Sequence, residues 1–229
     1  RQPPILMYHP QLCETYEQKT GHNSREIQAQ EVDSFLAWCR WRAAILTDFV
    51  RTVRDRLDQL GRELGHSFKL IPRITDLGPN INLIEGIDIA TWCAEGLIDG
   101  ILTSPLNWAR TVWEHDLRPY VTLGKEHGIP VVAGVCLNQQ TRFHRNGASV
   151  NYAVLARRVR DYQIQGANGI AFYQSECGLE FDDIDQVIPH LADPQATEAL
   201  LTDSSFLDRW PVTHLNCAYG LDCHSHFNN

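Results

Sequence analysis

Residues 128–137 read Gly-Ile-Pro-Val-Val-Ala-Gly-Val-Cys-Leu, and this stretch decides the fold class of the 229-residue chain. Its part from Val131 to Leu137 is continuously apolar, which is typical of a strand buried on both faces of a parallel sheet. Gly128 and Pro130 mark a turn that leads into the strand. We therefore predict a buried strand here and look for similar stretches on both sides of it.

Three more strands are predicted outward from this one, at Phe68–Ile74, Ile98–Leu102 and Gly169–Tyr173. The four strands start about 30 to 40 residues apart and each gap holds a predicted helix, which is the spacing of a parallel α/β sheet. Pro72 is an awkward residue for a central strand because it has no N–H to donate. Two architectures fit this pattern: part of a (β/α)8 barrel, that is a TIM barrel, or a small doubly wound parallel sheet.

The chain outside these strands is predicted to contain a loop, a long helix and an irregular end. Pro3, Pro4 and Pro10 predict a loop over the first 25 residues. From Val32 onward apolar residues recur every three or four positions until Gly61, which predicts a long amphipathic helix or two joined ones. The predicted organisation is thus a half barrel over residues 1–192, in which residues 1–65 are loop plus helix. Residues 193–229 are predicted to form an irregular C-terminal extension.

Composition excludes several classes of function. The 20 Lys and Arg against 28 Asp and Glu give a net charge of −8, so we predict no nucleic-acid partner. No apolar run approaches the roughly 20 residues of a membrane-spanning helix, and no Gly-rich phosphate loop points to a cofactor. The seven cysteines form no CxxC pair and are predicted to be mostly reduced, some of them buried. Because the chain begins with Arg1 rather than Met, we leave the compartment open, with export or the periplasm among the alternatives.

Several segments resemble a known family. The opening Arg1–Pro10 resembles the segment after the fourth strand in bacterial glycosyl-hydrolase-like barrels described as family-10-like. Further similar segments are Cys13–Gly21, Gly86–Trp92 with Gly96–Asp99, and Gly166–Ile170. The resemblance covers about residues 1 to 192 and implies that the four strands are the fifth to eighth of a barrel whose first four precede Arg1. It also implies a carbohydrate-active protein, a glycoside hydrolase or a relative of one, which acts on the O-glycosyl bonds of a poly- or oligosaccharide.

The candidate site lies where the strands end, because ligands of parallel α/β sheets bind at the carboxyl ends of the strands. Asp76 and Glu176 are the acidic residues at these positions, and glycoside hydrolysis uses two carboxyl groups, so we predict that both are catalytic. Other side chains suit the recognition of sugar hydroxyls or the stacking of a pyranose ring. These predicted substrate-binding residues are Tyr8, His9, Arg73, Asn107, Trp108, Asn138, Tyr173 and Gln174.

Each of these residues has a simpler alternative role. Asp76 fits a turn, Glu176 a solvated loop, Trp108 a packing anchor, and Tyr8 and His9 the packing of a loop. The third predicted strand also ends without a carboxylate, whereas many glycosidase barrels carry one there. The alternative function is therefore a noncatalytic carbohydrate-binding or scaffold barrel.

Two predictions concern metal and association. Cys217, Cys223, His224 and His226 are the only metal-like cluster, but their spacing matches no usual zinc site, so no metal is predicted. Four strands cut from a barrel would have two unpaired edges and an open inner face that includes Ile71, Leu102, Val132 and Ala171 or their neighbours. We therefore expect the partner of this chain to be the N-terminal half of the barrel or a second, self-associating copy.

Overall fold

The computed structural model describes residues 8–28, 30–104, 116–136, 152–173 and 184–209. These residues fall into two compact units, each made of two separate segments of the chain. The first unit consists of the chain up to Leu70 together with Gly78–Asp99, and the second of Ile71–Leu77 together with the chain from Gly100 onward.

The first unit is helical. Its helices are α1 (Pro10–Thr20), α2 (Val32–Leu64), α3 (Pro79–Ile84) and α4 (Ile89–Ala94). The loop predicted for the first 25 residues is wrong where α1 lies, because Pro10 occupies the first turn of that helix, the one helical position where a missing N–H costs nothing. Gly21 then ends α1 in the left-handed conformation, with φ 75°.

Helix α2 is one continuous helix of 33 residues. It ends at Gly65 (φ 64°) and not at Gly61 as the sequence predicts. At Gly61 the chain folds back over the helix. A Cβ at Gly61 would lie only 2.7 Å from the carbonyl oxygen of His66, so a glycine allows this close approach. The buried residues of α2 are Trp38, Cys39, Ala43 and Thr47.

Polar contacts join α2 to the rest of the first unit. The indole Nε1 of Trp92 donates to the hydroxyl of Thr47 at 2.9 Å, and both groups are buried. The carboxylate of Asp99 accepts three hydrogen bonds, from Arg54 and Lys69 at 2.9 Å each and from the backbone N–H of Leu70 at 2.8 Å. These bonds join the C-terminal half of α2 and the segment before the sheet to the same carboxylate.

The second unit contains a four-stranded sheet. Its strands are β1 (Arg73–Thr75), β2 (Ile101–Ser104), β3 (Val131–Cys136) and β4 (Gly169–Tyr173). All neighbouring pairs are parallel and the spatial order is β1-β2-β3-β4. The prediction of an α/β fold with four parallel strands is therefore confirmed. Within the described strands the order follows the chain, without the reversal that characterises a doubly wound sheet.

The strand bounds differ from the prediction at the first two strands. Strand β4 covers the predicted residues, but β1 begins only at Arg73, because Pro72 has no N–H for the ladder. The carbonyl of Pro72 still accepts from the N–H of Leu102 at 3.1 Å. Strand β2 begins three residues later than predicted, at Ile101, whose N–H donates to the carbonyl of Pro130 at 2.9 Å.

Burial differs from row to row across the sheet, and the row of Thr75 and Ser104 is buried although it shares a face with the more open row of Arg73 and Leu102. Side chains alternate between faces along a strand, and residues in register share a face. One row is fully buried on β1, β2 and β3, at Ile74, Thr103 and Ala133, and is half-buried at Ile170 on β4. The next row lies on the opposite face and is exposed or half-buried: Arg73, Leu102 and Val132. Ile71, before the sheet, is 49% exposed.

The helices of the second unit are α5 (Arg118–His127), α6 (Tyr152–Gln165), α7 (Ile184–Leu191), α8 (Pro194–Thr202) and α9 (Ser204–Arg209). Helix α5 packs against β3 at Gly124, where a Cβ would lie 2.8 Å from a methyl group of Val131. Helix α8 packs against α6 and α7. The irregular extension predicted from residue 193 is wrong over 194–209, since Asp193 caps α8 by accepting from the N–H of Ala196 at 2.8 Å and Pro194 fills its first turn.

Two general features complete the description. Among the described helices, none has the combination of length and apolar character that crossing a bilayer requires. Cys13, Cys39 and Cys93 are buried free thiols, as the sequence predicts for some of the cysteines.

Candidate functional site

The carboxyl edge of the sheet carries a group of buried polar residues. Thr75 ends β1 and Ser104 ends β2, and the two are partners in register. Asp76 follows Thr75 directly. All three are almost fully buried, with exposed fractions of 2%, 1% and 4% for Thr75, Ser104 and Asp76. This edge is where the sequence predicts a site, with Asp76 as one of its two carboxyl groups.

The neighbouring elements pack closely around this edge. The hydroxyl of Tyr120, on α5, donates to the carbonyl oxygen of Thr75 at 2.9 Å. Gly134, on β3, leaves room for β2, because a Cβ at Gly134 would lie 2.3 Å from the carbonyl oxygen of Thr103 and 3.1 Å from Ser104. The hydroxyl of Ser104 is buried and makes no hydrogen bond with the described residues.

The carboxyl group of Asp76 has an unusual affinity for its proton. Burial raises its pKa to about 6, because a charged carboxylate loses its hydration in the interior. Two effects oppose this rise without cancelling it: a hydrogen bond from the residue's own backbone N–H, and the positive charge of Arg158. Asp76 is therefore half protonated in mildly acidic solution, where an exposed aspartate is ionised.

Helix α6 supplies the other ionisable groups near Asp76. Arg158 is buried with an exposed fraction of 8%, and Tyr162 lies one helical turn further along with 4%. Burial raises the pKa of the Tyr162 phenol to about 12, the charge of Arg158 lowers it, and the charges of Asp76 and Asp161 raise it. The three groups Asp76, Arg158 and Tyr162 thus form one electrostatically coupled cluster, which we call the edge cluster.

The chemistry that the edge cluster supports is proton donation. A carboxyl group with a pKa near 6 retains a proton that it can pass to a leaving oxygen, which is the role of the acid in glycoside hydrolysis. Arg158 supplies a positive charge beside the carboxylate that remains after the transfer. The arrangement offers one carboxyl group of the two that hydrolysis of a glycoside needs.

The structure corrects the prediction for Arg73. This residue begins β1 instead of following it, so it lies at the amino end of the strand and its side chain is exposed.

Tyr8 and His9 belong to the first unit, whereas Asp76 belongs to the second. The ring of Tyr8 stacks on that of Trp38, with centroids 6.1 Å apart and planes inclined by 24°. His9 is exposed and directly precedes α1. The stacking of Tyr8 on Trp38 is a packing contact, which is the alternative role that the sequence left open for Tyr8.

Other predicted site residues lie outside the described residues: Glu176, Asn107, Trp108, Asn138 and Gln174, as do Cys217, Cys223, His224 and His226. Tyr173 is the last residue of β4, and the structure describes its backbone only. In the ranges that are described, no three His, Cys, Asp or Glu side chains come together as a metal site.

The sequence did not single out Arg158, Tyr162 or Tyr120. A signal for Arg158 was present, because it stands three residues after Leu155 and four before Tyr162, on the apolar face of a predicted helix. A charged residue in such a position needs a partner inside the protein. No comparable signal marks Tyr120, whose bond goes to a backbone carbonyl.

Comparison with known proteins adds no relative: the chain matches no family model and no curated protein.

Proposed function

We propose that the sheet of the second unit is part of a (β/α)8 barrel. Four parallel strands in chain order support the proposal, because neighbouring strands of a barrel wall follow one another in this order. The half-buried side chains of Leu102 and Val132 lie on one face, which would meet further strands across the barrel interior. The remaining strands would come from further residues of the same polypeptide or from a second copy. Light scattering on the 229-residue chain tests this proposal. We expect dimers or larger species, and a monomer with a sharp melting transition would contradict it.

On this architecture we propose a carbohydrate-active function, that of a glycoside hydrolase or a relative of one. The observation that carries the proposal is Asp76, a buried carboxyl group at the carboxyl edge of the sheet with a pKa of about 6. The resemblance of several segments to glycosyl-hydrolase-like barrels supports the same substrate class. Asp76 would act as the general acid that protonates the leaving glycosidic oxygen, and Glu176 is proposed from the sequence as the second carboxyl group.

The test uses the native polypeptide on a panel of aryl glycosides and polysaccharides. Replacing Asp76 by Asn removes the proton donor, so turnover of substrates with poor leaving groups should fall by about 10²- to 10⁴-fold. Activated aryl glycosides need less protonation and should lose much less. The alkaline limb of the pH profile should also disappear in this variant.

Asp208→Asn is the matched control, since it changes an exposed aspartate of the same unit and should leave turnover unchanged. Equal losses on good and poor leaving groups, or an alkaline limb that persists in Asp76→Asn, would show that Asp76 is not the acid. Glu176→Gln tests the second carboxyl group in the same assays.

A noncatalytic carbohydrate-binding or scaffold barrel is the second candidate. The burial of Asp76 beside Arg158 favours it, because a carboxyl group that is 4% exposed and lies near a buried cation also suits a structural pair. Binding of oligosaccharides without turnover by the native polypeptide would support this second function.

A further inference from the structure

The first unit contains hydrogen-bond donors that lack acceptors, on neighbouring turns of α2. Trp38 is completely buried, yet its indole Nε1 donates to no acceptor among the described residues. One turn later, the Nε of Arg42 is also buried and has no acceptor in the part of the chain that the structure describes. An indole N–H and a guanidinium N–H can only donate a hydrogen bond, so each of them needs an acceptor. Buried groups of this kind are rare in proteins and point to a missing partner.

One side of the Arg42 guanidinium makes a hydrogen bond, and its opposite edge is available for another partner. Its Nη1 donates to the carbonyl oxygen of Ile84 at 3.1 Å, which holds the side chain in place. The opposite edge, formed by Nε and Nη2, is the edge that receives a carboxylate through two parallel hydrogen bonds. Gly86, with φ 90°, lies beside Nη2, and even a Cβ there would be 4.0 Å away, so no side chain occupies this edge from that direction.

The charge of Arg42 is not balanced by the described residues. Arg42 takes part in none of the ion pairs among them. Glu85, the residue after Ile84, has a pKa raised by burial, and no cation lowers it. A half-buried cation without a counter-ion is costly, and an anion of opposite charge would remove that cost.

Aromatic rings form the rest of the surroundings. The guanidinium carbon of Arg42 lies 5.7 Å from the centre of the Trp38 ring. Tyr8 stacks on the same ring and its phenol lies within electrostatic range of Arg42. These rings bring a third donor, the Tyr8 hydroxyl, and an apolar surface that disfavours a doubly charged, strongly hydrated anion.

We propose that Arg42, Trp38 and Tyr8 form a binding site for a small molecule that carries a single carboxylate, such as a sugar acid. The carboxylate would accept from the Nε and Nη2 of Arg42 and from the Nε1 of Trp38, and the remainder of the molecule would lie against the half-buried ring of Tyr8. This site shares no residue with the edge cluster, because all its residues belong to the first unit and those of the edge cluster belong to the second. It does not depend on the function proposed for Asp76.

The experiment follows the indole N–H signal of Trp38 by NMR, with the full chain and four probes: glucuronate, acetate, glucose and inorganic phosphate. The signal is assigned by its loss in Trp38→Phe. We expect glucuronate and acetate to shift it at concentrations up to about 100 mM, well above a millimolar Kd. Glucose, which has no charge, should leave it unchanged.

Three variants separate the site from general effects of charge. Arg42→Gln should weaken glucuronate binding by about tenfold or more, because it removes the charged donors. Arg42→Lys should weaken it to a similar extent, since lysine keeps the charge but has no planar edge. Arg40→Gln removes an exposed cation two residues away and should have no effect.

Several results would overturn the proposal. No shift of the Trp38 signal with either carboxylate would remove the site, and equal losses in Arg40→Gln and Arg42→Gln would reduce it to attraction by net charge. Phosphate binding as tightly as the carboxylates would contradict the assignment of a singly charged ligand. If Arg42→Gln does not fold, the Arg42→Lys variant and the wild-type titrations decide the question.

Discussion

The proton affinity of Asp76 makes the stability of the protein depend on pH in an uncommon direction. The pKa of Asp76 is about 6 in the folded chain and has its ordinary value of 3.8 when the chain unfolds. The folded state therefore binds more protons between these values, so the contribution of Asp76 to stability is complete below pH 3.8 and is lost as pH rises through 6. A difference of about 2 pKa units corresponds to about 3 kcal/mol over the whole range. Between pH 4.5 and pH 7.5 the expected loss is about 2 kcal/mol.

The assay is urea unfolding of the wild type and of Asp76→Asn at several pH values in this range. The variant cannot titrate at this position, so the difference in free energy of unfolding between the two proteins should change by about 2 kcal/mol from pH 4.5 to pH 7.5. Subtraction removes the titration of all other groups. Asp208→Asn, at an exposed site, should show no such change. A difference between wild type and Asp76→Asn that is constant with pH would refute the argument that burial controls this carboxyl group.

Two further predictions concern packing and hydrogen bonding. Gly134→Ala should destabilise the protein by about 3 kcal/mol because its Cβ would collide with the backbone of β2, whereas Gly100→Ala meets only ordinary contacts, the nearest at 3.4 Å, and should cost less than about 1 kcal/mol. Equal costs in urea unfolding would contradict the packing described at Gly134. Thr47→Val should cost about 1 to 3 kcal/mol because it leaves the buried indole N–H of Trp92 without an acceptor. The matched change Thr52→Val lies at an exposed hydroxyl and should be nearly neutral in the same measurement, so a similar cost for both would count against the buried bond.

The fold class could be predicted because it depends on periodicity and spacing, which are local properties of a sequence. The apolar run at Val131 and the strand Gly169–Tyr173 needed no knowledge of the rest of the chain, and both strands lie where they were expected. The sequence placed Pro10 in a loop, because proline marks a loop in most contexts, whereas it is also favoured in the first turn of a helix. The division into two units was not visible, because the chain leaves the first unit at Leu70 and returns to it at Gly78 without a change in composition.

The candidate site could be predicted only in part. Asp76 was found because it follows a strand, and a position after a strand is visible in the sequence. Arg158 and Tyr162 were not found, since their relation to Asp76 depends on where α6 packs. The donors of Arg42 and Trp38 are recognisable only when their acceptors can be searched for in three dimensions.

The order of the strands has a consequence for how the sheet assembles. Each described strand pairs with the strand made just before it, as Arg73 with Leu102, Ile101 with Val131 and Val132 with Gly169. Every pairing therefore closes a loop of about 30 to 40 residues, at a similar entropic cost each time. Because the ribosome makes the chain from its N-terminus, each new strand would emerge when the strand that it pairs with has already been made. The described sheet can thus grow in the direction of translation, one strand at a time, without waiting for a distant part of its own sequence.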